Sequence, residues 1–176
     1  MDRLKPDVLR KSPPVASELK KIKRNPIYLV LDEVIDTYNI GSLFRLADAI
    51  AAEKIYLCGE MEYPPASRIH KSAVGTENWM PWEKVENTHD LVKQLKKKNV
   101  QIIAVEQHPK SISYANLSEK VKFPCAVVVG HETKGINKNV LKSADVIVEI
   151  PMYGINNSFN VWGSAAVIVY KILEKI

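Results

Sequence analysis

Short runs dense in Val, Ile and Leu punctuate the chain at residues 27–32, 54–58, 100–106, 125–130 and 146–150. Runs of this length with few polar interruptions predict strands buried on both faces. Between them, spacing and cap residues predict helices at 40–52, at 89–98 after an Asn87–Thr88 cap, at 137–143 and at 158–175. The alternation predicts an α/β fold, a mostly parallel sheet sandwiched by helices. The last helix is unusual: Phe159, Val161, Trp162, Val167, Ile168, Val169, Tyr170, Ile172 and Leu173 leave it almost no polar face. One sheet face would not cover such a helix, so either a partner subunit covers the rest or the helix is a central core element of the monomer.

With 176 residues the chain has room for one well-buried core, and 46% hydrophobic with 26% charged residues excludes a disordered or disulfide-stapled chain. No apolar run approaches the ~20 residues of a membrane span, and the start MDRLKPDVLRK lacks the apolar stretch of a signal peptide. A cytoplasmic protein is expected. Cys58 and Cys125 sit in the apolar segments KIYLCG and FPCAVVVG and are expected to be core thiols; no sulfur ligand set for zinc is present.

Charge separates the chain into two parts. Residues 1–25 hold eight Lys or Arg against three acidic side chains, a net +5, while residues 26–176 balance at 17 of each sign. The first 25 residues thus read as a basic arm, suited to a polyanion or else a solvated tail. Residues 26–176 form the folded domain.

Strand ends are where parallel α/β proteins make their sites. The first strand leads into IDTYNIGSLFR, with one glycine, so neither a G-x-G-x-x-G turn nor a phosphate loop is present. Three other segments carry polar groups there. Asn39-Ile-Gly-Ser-Leu-Phe-Arg45 opens a helix at a polar turn, so that Asn39 and Arg45 could share a pocket edge; a surface arginine paired with Asp48 or Glu53 is the plainer alternative. Gly130-His131-Glu132-Thr-Lys-Gly135 follows a hydrophobic strand: Gly130 would admit a ligand close to backbone, and Glu132 would orient a donor or face solvent in a tight turn. In Ile150-Pro-Met-Tyr-Gly-Ile-Asn-Asn-Ser158-Phe-Asn160-Val, Ser158 is the expected N-cap of the last helix and Asn160 a polar residue in its first turn.

In order and spacing, N-x5-R, G-x-E-x2-G and I-P-M-x-G-x3-S-x-N-V resemble the three motifs of the SpoU (TrmH) family of RNA ribose 2′-O-methyltransferases. The resemblance spans residues 26–176 and includes the loop Ser72-Ala-Val-Gly75-Thr-Glu-Asn-Trp79 and the strand end Val105-Glu106-Gln107. It implies a deep C-terminal trefoil knot that holds S-adenosylmethionine, with no metal. Gly130, Ile150, Met152, Ser158 and Phe159 would line the cofactor pocket, joined by Val105 and Glu106. It also implies a homodimer with the final helix at the interface.

By the same resemblance Arg45, Asn39, Glu132, Ser158 and Asn160 form the catalytic set. Arg45 stands where the family's proposed general base lies, yet a guanidinium keeps its proton to a pKa above about 12. A clamp on the neighbouring phosphate that polarises the 2′-hydroxyl suits its chemistry better. Asn39 would position the ribose or Arg45, and Glu132 would orient Arg45 or nearby donors. The sequence departs from the commonest pattern at His131, Phe159, Leu46 and Trp162-Gly163, none of which replaces a member of that set. His131 either titrates beside Glu132 or hydrogen-bonds its loop.

No separate RNA-binding domain is expected before the fold, so grip would come from the arm and from the loop with Arg68, His70, Lys71 and Trp79. Trp79 and Trp82 would either stack on an exposed base or anchor a short strand. The segments SAVGTENWMPWEKV and AVEQHPKSI look closest to the branch acting on tRNA D-loop guanosine, which favours tRNA over rRNA as the partner.

Overall fold

The computed structural model describes residues 14–176. Most of the basic arm's sequence, residues 1–13, lies outside the described residues. After the short helix α1 (Ala16–Leu19), the chain runs β1 (Asn25–Asp32), α2 (Thr37–Ala49), β2 (Ala52–Cys58), α3 (Ser67–Ala73), β3 (Trp82–Val85), α4 (Thr88–Lys97) and β4 (Gln101–Val105). It continues through β5 (Ile112–Ser113), β6 (Cys125–Gly130), α5 (Lys138–Ser143), β7 (Val146–Glu149) and α6 (Val161–Leu173). All seven strands are parallel, in the order β3-β2-β1-β6-β4-β7-β5.

The five anticipated strands are the centre of this sheet. Their side chains alternate between two cores, as the period of two requires. Ile27, Leu29 and Leu31 of β1, with Val127 and Val129 of β6, face α2, α3 and α6. Val30, Ala126 and Val128 face α4 and α5 through Leu91, Val92, Leu95 and Val140. Cys58 and Cys125 are free, fully buried and in different cores, and burial pushes both thiols up to about 12.

Differences from the expected elements have local causes. α2 starts three residues early because Asp36 caps it, accepting from the Tyr38 amide at 2.8 Å. α6 starts three residues late, capped by Asn160. It presents Ala165, Ile168, Val169 and Ile172 to the core, while Trp162, Val167 and Tyr170 stay at least 36% exposed. It is therefore not a central core helix. Trp79 is a buried anchor and not a stacking platform: its indole donates to Asp48 Oδ1 at 2.7 Å. Trp82 opens β3 and packs edge-on against Phe44. At the end of the arm, Arg24 donates to the Ala52 carbonyl at 2.8 Å and Asn25 to that of Ile50, so Arg24 belongs to the fold.

Candidate active site

The carboxyl ends of β4, β6 and β7, with the loop entering α6, enclose a cleft of about 250 Å³. All seven residues expected around a cofactor line it: Val105, Glu106, Gly130, Ile150, Met152, Ser158 and Phe159. Glu132, Glu149 and His131 line it too, and among the described residues no lysine or arginine does. A cleft with three carboxylates and apolar walls suits a cationic, partly apolar ligand and would repel a phosphate-bearing one.

Glu132 is fixed from three sides. Its Oε1 accepts from the Asp36 amide and from Asn39 Nδ2, both at 2.9 Å, and its Oε2 accepts from the Ile35 amide at 3.1 Å. Burial works against its ionisation, but these three donors together with its own backbone amide outweigh burial and lower the carboxyl from its ordinary value. The Asn39 amide then accepts from Asn160 Nδ2 at 3.1 Å. Asn160 Oδ1 in turn accepts from the Trp162 amide at 3.0 Å, so the first-turn residue of the sequence reading is the N-cap itself. The three strand-end segments thus meet in one chain, Glu132–Asn39–Asn160.

Ser158 is not the cap. Its amide donates to Asn156 Oδ1 at 3.1 Å within the loop, and its side chain is left at the cleft wall. Arg45 also departs from expectation. Six residues along a helix rotate a side chain about 120° from its starting direction. With Asn39 buried against Glu132, Arg45 is exposed and makes no ion pair among the described residues. Neither Arg45 nor Asn39 lines the cleft, and the groups that Glu132 holds are the Asn39 amide and two backbone amides. Asp48, the alternative partner for Arg45, is engaged by Trp79.

Gly130 serves its own loop. A Cβ there would lie 2.4 Å from the Gly135 carbonyl carbon and 2.5 Å from the Ile136 nitrogen, so the space is filled by backbone and not reserved for ligand. Gly135, at φ +68°, lies against Glu106, whose Oε2 accepts from the Ile136 amide at 3.0 Å. His131 Nδ1 accepts from the Thr133 amide at 3.1 Å, the loop-bonding alternative of the two readings.

Two carboxylates in this region escaped the sequence reading. Asp36 both caps α2 and gives its amide to Glu132. Asp32, 4% exposed, accepts from the Asn137 amide at 2.8 Å and from the Thr88 hydroxyl, tying β1 to the starts of α4 and α5. The available signals were Asp before Thr-Tyr at a helix start and an Asp ending an apolar strand.

Among solved structures, the chain resembles the A. aeolicus TrmH/SpoU tRNA modifying enzyme at 24% identity and TM-score 0.78, covering 97% of this chain and 81% of that one. It also resembles an AdoMet-bound rRNA methyltransferase from Sinorhizobium meliloti at 25% identity and TM-score 0.79, covering 98% and 61%. Among curated relatives, the tRNA (guanosine(18)-2′-O)-methyltransferase of Borreliella burgdorferi is 26% identical over 156 residues, 88% of this chain and 69% of that protein. The 23S rRNA (guanosine-2′-O-)-methyltransferase of Haemophilus influenzae is 28% identical over 159 residues, 90% of this chain and 63% of that protein. The chain spans 59% to 69% of the length of the first such relatives. The family model of the SpoU rRNA methylases matches residues 26–170, so the chain belongs to the SpoU rRNA methylase family.

Proposed function

We propose that this protein transfers a methyl group from S-adenosylmethionine to a ribose 2′-hydroxyl of RNA, with tRNA favoured over rRNA. The observation that carries this reading is the meeting of three strand-end motifs in the Glu132–Asn39–Asn160 chain beside a cleft lined by every expected cofactor residue. Two of the similar proteins are a tRNA and an rRNA methyltransferase acting on guanosine 2′-O, which supports RNA as the substrate class.

The residues present fit the cofactor. When bound, S-adenosylmethionine supplies an electrophilic methyl on a sulfonium centre. Glu106, Glu132 and Glu149 offer negative charge to that cation, and Val105, Ile150, Met152 and Phe159 offer apolar surface to its purine. The catalytic demand is to bring the 2′-oxygen into line and to let its proton leave. Arg45, exposed on α2, grips the adjacent phosphate and polarises the hydroxyl, and the proton leaves to phosphate or water. Asn39, Glu132 and Asn160 act by position: they lock α2 to the β6 loop and to α6. Ser158 shapes the loop between cofactor and substrate.

Topology supports a trefoil knot. β6 inserts between β1 and β4, β7 lies beyond β4, and α6 then packs back against α2 and β6. The exposed Trp162, Val167 and Tyr170 support a homodimer through α6. The basic segment ahead of Arg24 adds sequence-independent grip on RNA to the folded domain. No helix among the described residues is long and apolar enough to cross a membrane, and two free thiols accord with a reducing, cytoplasmic setting.

The test is transfer of labelled methyl from S-adenosylmethionine to unmodified total tRNA and, separately, to rRNA. Label in tRNA, lost with Arg45→Ala, is the expected result; label in rRNA alone would reassign the substrate, and label in neither would overturn the reading. Arg45→Lys keeps the charge without the bidentate fork, so its activity falls if the clamp is correct.

A further inference from the structure

A side-chain cluster on α3 and the 3-10 turn Thr76–Asn78 plays no part in the cleft. Glu77 is 7% exposed, and its Oε1 meets His70 Nδ1 at 2.6 Å. Its Oε2 is buried with no hydrogen-bond partner among the described residues. A carboxylate in this place would accept from Nδ1–H, and the ring's other nitrogen makes no hydrogen bond among the described residues and is open to an outside group. The His70 side chain is 44% exposed. Burying a carboxylate under a half-exposed imidazole is costly for packing alone, and it is the arrangement that fixes a histidine's tautomer and direction.

His70, Lys71 and Glu77 line a pocket of about 720 Å³ whose other walls include Pro64, Pro65 and Trp82. The pocket shares no residue with the cleft. Trp82 is held edge-on by Phe44, with ring centroids 6.4 Å apart, and is only partly buried. Lys71 is exposed and makes no ion pair among the described residues, and Arg68 on the same helix is likewise exposed. Flat apolar walls beside an oriented imidazole and unpaired cations match a nucleotide better than an acidic peptide, because a base has a face to place on the ring.

We propose that this pocket holds one unpaired nucleotide of the RNA substrate, away from the ribose that is methylated. Its base lies against Trp82 and the two prolines, its phosphate contacts Lys71, and the open ring nitrogen of His70 accepts from its ribose hydroxyl or a base N–H. Glu77 is a positioning residue that acts through His70. The proposal rests on the RNA reading above and adds a binding site to it.

The experiment measures affinity of the full chain for unmodified total tRNA by filter binding, and for S-adenosylmethionine by calorimetry. Lys71→Gln and His70→Gln each weaken RNA binding about fivefold or more and leave cofactor affinity unchanged. Lys97→Gln removes the same charge from α4 and changes RNA affinity less than about twofold. Glu77→Gln matches His70→Gln, and the double variant loses no more than either alone, so Glu77 acts through His70; unchanged cofactor affinity and unfolding midpoint in all three variants separate this from a merely structural role. RNA carrying 4-thiouridine crosslinks within residues 64–82. Affinities of the His70 and Lys71 variants within twofold of the unaltered protein would overturn the pocket alone; failure of the unaltered protein to bind RNA would overturn the substrate class itself.

Discussion

Asn39 donates to Glu132 Oε1 at 2.9 Å while its own carbonyl oxygen accepts from Asn160 at 3.1 Å. A side-chain amide is suited to both tasks because it carries donors and an acceptor on one short stem. Residues 93 and 121 positions away in sequence are thereby joined at one point, which is buried to 2% exposure.

Asn39→Asp keeps the acceptor for Asn160 and places a second carboxylate against Glu132. With this site buried, the variant is expected to lose about 2–4 kcal/mol of stability at pH 7, with part of the loss recovered below about pH 4 as a carboxyl protonates. Urea unfolding at both pH values checks this; an unchanged midpoint at pH 7 would remove the amide's bridging role.

Glu132 sets a pH dependence with a definite sign. Its carboxyl titrates lower in the folded than in the unfolded chain. The stability it contributes is therefore fully present above the unfolded value of about 4.3 and is lost as pH falls through the folded value. Glu132→Gln flattens that part of the profile between about pH 5 and pH 3. Denaturation midpoints across this window would show it, and parallel curves for the two proteins would contradict it.

Gly130→Ala forces a methyl group onto the backbone of Gly135 and Ile136. A loss of about 1–3 kcal/mol or more follows, together with weaker cofactor binding, since the same backbone borders the cleft. Gly154→Ala is the control: a Cβ there meets nothing within 4 Å, and its stability should stay within about 0.5 kcal/mol.

The start of α6 separates two asparagine and serine roles that the sequence left entangled. Asn160→Ala removes a cap and the donor to Asn39, for a cost of about 1–3 kcal/mol in thermal or urea unfolding. Ser158→Ala should be near neutral for stability, because Ser158 bonds only within its loop. Equal losses in the two variants would contradict the observed cap.

The apolar runs at β1, β2, β4, β6 and β7 were legible because buried parallel strands leave little room for polar residues, whereas the residues that line the cleft were named through the family resemblance, whose motifs fall at the ends of those same strands. The short edge strand Ile112–Ser113 and the helix Ser67–Ala73 were not, since two residues carry no periodicity and SRIHKSA mixes charge with few apolar positions. The polar residues at the strand ends could be picked out by type, but their hydrogen-bond partners could not. Arg45 and Asn39 sit close in sequence and on different sides of α2, whereas Glu132 and Asn39 are distant in sequence and bonded. Asn160 reads from sequence as a first-turn residue and not as the cap, because that role depends on where α6 begins, a boundary that sequence patterns place only to within a few residues.

The position of the transferred methyl group tests the central claim most directly. After reaction of the full chain with labelled S-adenosylmethionine and unmodified tRNA, alkaline hydrolysis cleaves every linkage whose 2′-hydroxyl is free. Label recovered in alkali-resistant dinucleotides, and absent with Arg45→Ala, is the predicted result. Label recovered in mononucleotides would place the methyl on a base and contradict ribose 2′-O-methylation by this site.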